Sequence, residues 1–200
     1  NVALALGIDK IVYLSSIAAL GRKANQIHVD ESSKWVNSGL NSNYAKSKYL
    51  GELEIWRGFE EGLNGFVVNP SVVLGKGDWT KSSAQLFKFI NENRSYYPEG
   101  FLNFVDLRDV RDCVLKLLKS DCNHERYILN GGQVSYKDFF AKASSKLGLK
   151  EMRKSIIAMN LKKLALQDKA KSIKEYISKF VECEEIHIKT PKGFMLQWGK

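Results

Sequence analysis

The sequence predicts an α/β chain built on a doubly wound parallel sheet. Three observations carry that prediction. Segments 11–14, 65–70 and 126–130 are short, apolar and rich in β-branched or aromatic residues, the pattern of buried strands. Helical patterns stand between them, at 43–61 and 110–118. Glycine, asparagine and serine punctuate the joins.

The elements follow in order. Asn1 to Leu6 reads as the end of a helix stopped by Gly7. Ile11–Leu14 is a strand whose carboxyl end delivers Ser15 and Ser16. Gly21 to Asn43 is a polar loop with scattered charges, and a loop of that length in a compact domain is usually functional or mobile. Its large aromatic, Trp35, is either a lid contact or a packing anchor. Ser42 or Asn43 caps a helix expected to run to about Glu61, with Tyr49, Leu50, Leu53, Trp56 and Phe59 as its apolar stripe. Gly65–Pro70 is the next strand, and Pro70, lacking an N–H, ends its ladder.

Gly75-Lys76-Gly77-Asp78 is a turn; with no third, helix-opening glycine it is not a dinucleotide fingerprint. Ser82 to Ile90 is a short amphipathic helix, and Tyr96 to Gly100 a loop with two aromatics. Asp109 is the expected cap of a helix Val110–Leu118. Arg126–Asn130 is a strand and Gly131-Gly132 a turn. Ser135 and Asp138 approximate a capping box for a helix from Tyr136 to about Leu147. Beyond Lys150 the pattern changes. Ile156, Ile157, Leu161, Leu164, Ile173, Tyr176, Ile177 and Phe180 form one amphipathic stripe. Residues 185–190 and 194–198 then read as a hairpin, which must pack on something to be stable. The expected organisation is therefore a domain over 1–148 and a helix-plus-hairpin tail over 149–200.

Composition narrows the function classes. Hydrophobic residues make up 44% of the 200, ordinary for a globular protein, and no apolar run is long enough to span a bilayer. Cys113, Cys122 and Cys183 form no CxxC and stand at no metal-ligand spacing from His28, His124 or His187. The expectation is a cytoplasmic protein without metal. The net charge of +9 is densest in the tail, where residues 151–200 hold 11 Lys/Arg against 6 Asp/Glu. Without a nucleic-acid motif, this reads as a solvated face rather than a nucleic-acid or membrane surface.

Chemistry concentrates in Asn43-Tyr44-Ala45-Lys46-Ser47-Lys48. On a helix, Tyr44 and Lys48 share one face, one turn apart. A phenol ionises near pH 10 when unperturbed, and a neighbouring ammonium favours the phenolate. Such pairs also arise by chance, so the preceding strand matters. In open α/β sheets ligands bind beyond the carboxyl ends of the strands, where Ser15 and Ser16 stand. A serine to hold a carbonyl, a tyrosine to exchange its proton and a lysine to tune the tyrosine make a carbonyl-reduction site.

Tyr13-Leu14-Ser15-Ser16-Ile17-Ala18-Ala19-Leu20-Gly21, Tyr44-x-x-x-Lys48 and Asn69-Pro70-Ser71-Val72-Val73-Leu74-Gly75-Lys76-Gly77-Asp78 together resemble the extended short-chain dehydrogenase/reductase family. This is the NAD-dependent epimerase/dehydratase group, and the third motif is nearest its dihydroflavonol-reductase-like branch. The resemblance covers about residues 1–148. It implies a partial Rossmann-type sheet with a small substrate-side region. It further implies NAD or NADP as cofactor and a small carbonyl or alcohol substrate, with hydride passing between nicotinamide and substrate carbon. By match, Ser16, Tyr44 and Lys48 are catalytic. Ser15, Tyr44, Lys48, Pro70, Ser71, Val72 and Val73 are placed at the cofactor. The helix 44–61 packs against its twin in homodimers of such enzymes; alternatively its stripe only covers the sheet.

The resemblance also has a gap. Family members open with a strand, a glycine-rich turn and a helix that hold the pyrophosphate, and no such stretch precedes Ser15. The expectation is thus the C-terminal part of an oxidoreductase, inactive in this form, with a nucleotide-sugar epimerase or dehydratase and a non-catalytic binding module as rivals.

Overall fold

A computed structural model describes residues 1–150 apart from 24, 25, 27 and 93–95, together with the short strands Lys154–Ser155 and His187–Ile188. The remainder of the expected helix-plus-hairpin tail lies outside the described residues.

In chain order the elements begin with α1 (Val2–Ala5), β1 (Ile11–Leu14), a 3₁₀ turn over Ile17–Leu20, β2 (His28–Val29) and α2 (Asn43–Glu60). Next come β3 (Gly65–Pro70), β4 (Val72–Leu74), a 3₁₀ turn over Ser82–Ala84, α3 (Gln85–Asn91) and β5 (Tyr96–Tyr97). Then follow β6 (Phe101–Asp106), α4 (Leu107–Leu118), β7 (Glu125–Leu129), β8 (Gly132–Ser135), α5 (Tyr136–Lys146), β9 (Lys154–Ser155) and β10 (His187–Ile188). A three-stranded sheet of order β1-β3-β7 is parallel throughout, with Leu14 opposite Val68 and Pro70 opposite Leu129. A second sheet has the order β4-β6-β8.

The chain forms two compact units. The first comprises Asn1–Val73 and Phe104–Gly132, with β10 paired to β2; the second holds Leu74–Asn103 and the stretch Gln133–Ile186. In the first unit the parallel sheet is covered on both faces, which is why its strands are apolar without alternation. Phe66, Val68, Tyr127 and Leu129 pack with Val110, Cys113 and Leu117 of α4 on one side. Val67 packs on the other with Phe59 and Leu63, joined by Ile11, Tyr13, Ile55 and Trp56. Phe66, Val67 and Val68 are wholly buried, and each such side chain contributes about 1.5–3 kcal/mol. Gly65 permits the close pairing of β1 and β3: a Cβ there would lie 2.1 Å from the Ile11 carbonyl oxygen. In the second unit, α3 and α5 meet through Phe87 and Phe139 (5.9 Å between ring centroids) and through Phe89 and Phe140 (5.8 Å).

Three local expectations change, and one open alternative is decided. The cap of α4 is Asp106, not Asp109. Asp106 is extended, and its carboxylate accepts from the Arg108 backbone N–H at 2.8 Å and from the Arg108 guanidinium. Asp109 lies in the first turn, where the helix dipole favours it. Two aspartates three apart are both eligible caps, and only the backbone distinguishes them. Tyr96–Tyr97 form a strand paired with β9 rather than a loop. On α2, Leu50 and Leu53 point outward, so the apolar stripe is divided between the sheet and the surface. The 21–43 loop is pinned: Trp35 stacks on Tyr49 at 4.5 Å with planes 7° apart, and the Asn41 side chain bridges the Arg22 N–H and the Val36 carbonyl. Trp35 is a packing anchor.

Candidate active site

The site is built at the carboxyl end of β1. Ser15 extends the ladder by one bond, donating its N–H to the Val68 carbonyl at 2.8 Å. Its side chain is 4% exposed, and its buried Oγ has no hydrogen-bond partner among the described residues. Ser16 is extended and caps the following 3₁₀ turn, its Oγ accepting from the Ala18 N–H at 3.2 Å. A hydroxyl that accepts there keeps its own proton to donate elsewhere.

Helix α2 carries the second half. Ser42 fixes its start, with Oγ accepting from the Ala45 N–H at 3.1 Å. That sets Tyr44 in the first turn, Lys48 one turn on and Glu52 one turn further, on one face. Lys48 Nζ donates to the Leu14 carbonyl at 3.0 Å and lies 5.5 Å from the centroid of the Tyr13 ring. The bond ties the helix to the strand end that bears Ser15 and Ser16. Tyr44 is 56% exposed. Tyr13 lies beneath the helix at Gly51, where a Cβ would stand only 2.1 Å from the Tyr13 hydroxyl. Burial pushes the Tyr13 phenol above its ordinary range, with the Glu52 carboxylate and the Tyr44 phenol adding to the shift.

The third motif ends the neighbouring strand. Pro70 and Ser71 are buried and Val72 and Val73 half-buried. The Ser71 N–H donates to the Leu129 carbonyl at 2.9 Å, and its buried Oγ, like that of Ser15, has no partner among the described residues. The structure therefore gathers Ser15, Ser16 and Lys48 at one strand end, with Tyr44 one turn from Lys48 and Pro70–Val73 at the end of the adjacent strand.

Three residues that the sequence reading missed hold this arrangement. Glu52, 1% exposed, forms an ion pair with Arg126 of β7, whose side chain is 17% exposed. Asn69 Nδ2 donates both to Glu52 Oε1 at 2.6 Å and to the Ser16 carbonyl at 2.8 Å. Arg126 also lies 5.5 Å from the Trp56 ring and reaches the carbonyls of Glu31 and Ser33 at 3.5 Å. The available signal was a polar residue inside an apolar run, Asn69, and a carboxylate at the fourth position after Lys48.

A parallel sheet covered by helices on both faces, with polar groups at its strand ends, has the architecture of nucleotide-binding α/β enzymes. The chain belongs to the NAD dependent epimerase/dehydratase family, whose profile matches residues 1–128. It is 31% identical over 149 residues to the "Putative dihydroflavonol 4-reductase" of Synechocystis sp., a match covering 72% of this chain and 43% of that protein. A nucleoside-diphosphate-sugar epimerase from Pseudomonas aeruginosa superposes with a TM-score of 0.72 at 21% identity, covering 92% of this chain and 59% of the other. The dTDP-glucose 4,6-dehydratase of Bacillus anthracis, solved in complex with NAD, superposes with a TM-score of 0.64 at 14% identity, covering 77% and 51%. These two superpositions establish the Rossmann-type fold. The chain spans less than half the length of the curated relative and little over half of either structure. Among the described residues, no helix is long and apolar enough to cross a membrane.

Proposed function

We propose that the whole protein is an NAD(P)-dependent oxidoreductase acting on a small carbonyl compound or secondary alcohol, with Tyr44 as its proton donor and acceptor. The observation that carries this reading is the Lys48–Leu14 bond, which seats the Tyr-x-x-x-Lys helix on the strand end bearing Ser15 and Ser16. The residues fit a nicotinamide. Ser15 and Ser71 carry buried hydroxyls without a partner among the described residues, on adjacent strand ends, and a carboxamide offers both a donor and an acceptor to such groups. Pro70, Val72 and Val73 supply apolar surface beside them. A bound nicotinamide supplies or takes up the hydride.

The chain's own groups do the rest. Ser16 donates a hydrogen bond from its hydroxyl to the substrate oxygen and orients it, keeping its own proton. Tyr44 exchanges a proton with that oxygen through Oη. Lys48 has three donors; one is held by the Leu14 carbonyl, and the others suit ribose hydroxyls. Replacing Tyr44 by Phe in the whole protein removes the proton donor, worth about 10²–10⁴-fold in turnover, while NADH affinity stays within threefold. Retained turnover in Tyr44→Phe refutes the assignment.

A second reading, a nucleotide-sugar epimerase or dehydratase, is favoured by the family itself. Such an enzyme keeps its cofactor through the cycle, so NAD(H) released by denaturing the purified whole protein separates the two. A homodimer through α2 also belongs to the proposal and is supported by the exposed Leu50 and Leu53. So do a cytoplasmic setting, for which an odd number of cysteines with no CxxC speaks, and the division into a domain over 1–148 and a tail over 149–200.

A further inference from the structure

The Ser16 carbonyl accepts two hydrogen bonds, one from the Ala19 N–H at 3.0 Å and one from Asn69 Nδ2 at 2.8 Å. The same Asn69 nitrogen donates its second proton to Glu52 Oε1. Asn69 is wholly buried at the end of β3, and Glu52 is held on its far side by Arg126. A single planar amide thus spans the strand end that carries Ser16 and the helix face that carries Tyr44, Lys48 and Glu52.

We propose that Asn69 is a positioning residue: its amide, shared between the Ser16 carbonyl and the Glu52 carboxylate, fixes the Ser16 hydroxyl relative to Tyr44. The inference rests on the roles given above to Ser16 and Tyr44. Lys48 bonds the helix to the carbonyl of Leu14, and the sheet ladder ends at the Ser15 N–H, so neither contact ties the Ser16 carbonyl itself to another element. Asn69 closes that gap. Its own contacts reach neither Tyr44 nor the hydroxyl of Ser16; it acts through the backbone of the 3₁₀ turn. An error of about 1 Å in such a constellation lowers turnover by about 10²-fold without abolishing binding.

The test uses the whole protein in three forms: unmodified, Asn69→Ala, and Val110→Ala. Val110 lies in the core on the α4 side of the sheet and serves as a destabilised control. Turnover, KM, NADH affinity and amide exchange at Ala18 and Ala19 are measured well below the melting temperatures. The expected result for Asn69→Ala is a 10- to 100-fold fall in kcat, with KM and NADH affinity within threefold and at least tenfold faster exchange at Ala18 and Ala19. Val110→Ala shows none of these changes. If the two variants keep equal kcat or equal exchange at those amides, Asn69 is merely structural and the inference is overturned. Tyr44→Phe run alongside separates the two levels. If it retains turnover, the proposed reaction fails, and the exchange data alone decide whether Asn69 clamps the Ser16 turn.

Discussion

Replacing Glu52 by Gln isolates the charge in the buried network and is the most informative single change to stability. The carboxylate is 1% exposed and faces the Arg126 guanidinium. Gln keeps an acceptor for Asn69 but leaves Arg126 without its counter-charge. Removing one partner of a buried ion pair costs about 3–5 kcal/mol. Among the described residues Arg126 retains only long contacts to the Glu31 and Ser33 carbonyls, the face of Trp56 and its partial exposure, and its Nε has no partner there. These soften the loss and set it near the lower bound, about 3 kcal/mol. With a urea slope of about 2 kcal/mol per molar, the unfolding midpoint of Glu52→Gln falls by about 1.5 M. Adding Arg126→Met removes the stranded charge and restores at least half of the lost midpoint, because most of the loss comes from leaving a buried charge uncompensated. Urea melts of the single and double variants check both numbers. A midpoint within 0.3 M of the unmodified protein, or a double variant no better than the single one, refutes the reasoning.

Two further outcomes follow from the structure. The Asp106 carboxyl is held below the ordinary carboxylate range by its bond to the Arg108 side chain and then by the Arg108 backbone N–H. A group whose folded value is depressed stabilises the fold above its unfolded value, about 3.9, and loses that contribution as pH falls through the folded value. Asp106→Asn, which preserves the cap, is therefore less stable than the unmodified protein above about pH 5, and the gap narrows as pH falls below about 4; denaturant melts across this range read it, and a gap unchanged at pH 3 contradicts the assignment. Leu50→Glu with Leu53→Glu places charge on the outward stripe of α2 and turns the proposed dimer into a monomer in sedimentation experiments, whereas an unaltered sedimentation coefficient dismisses that interface.

The parallel sheet was legible because its strands are covered on both faces. Val67 meets α2 and Phe66 meets α4, so the sequence shows continuous apolar runs there. The start of α2 was legible to within one residue, as Ser42 or Asn43, and the structure uses the Ser42 hydroxyl. The residues joining Ser16 to α2 were not. Asn69 and Glu52 are polar groups whose partners lie 53 and 17 residues away in the chain, and local spacing carries no trace of such a pairing. Arg126 was read only as the first residue of a strand, because its counter-charge, Glu52, belongs to a different element. Two-residue strands such as β2 and β5 depend on pairing with distant segments at 187–188 and 154–155, which no local pattern announces.

The central claim is that the strand end of β1 and the face of α2 form one proton-transfer site. The direct measurement is single-turnover oxidation of NADH by the whole protein against a panel of small ketones and aldehydes, unmodified and as Tyr44→Phe, with NADH affinity measured on both. The account predicts a rate at least about 100-fold lower in Tyr44→Phe at unchanged NADH affinity. Equal rates in the two proteins would contradict it.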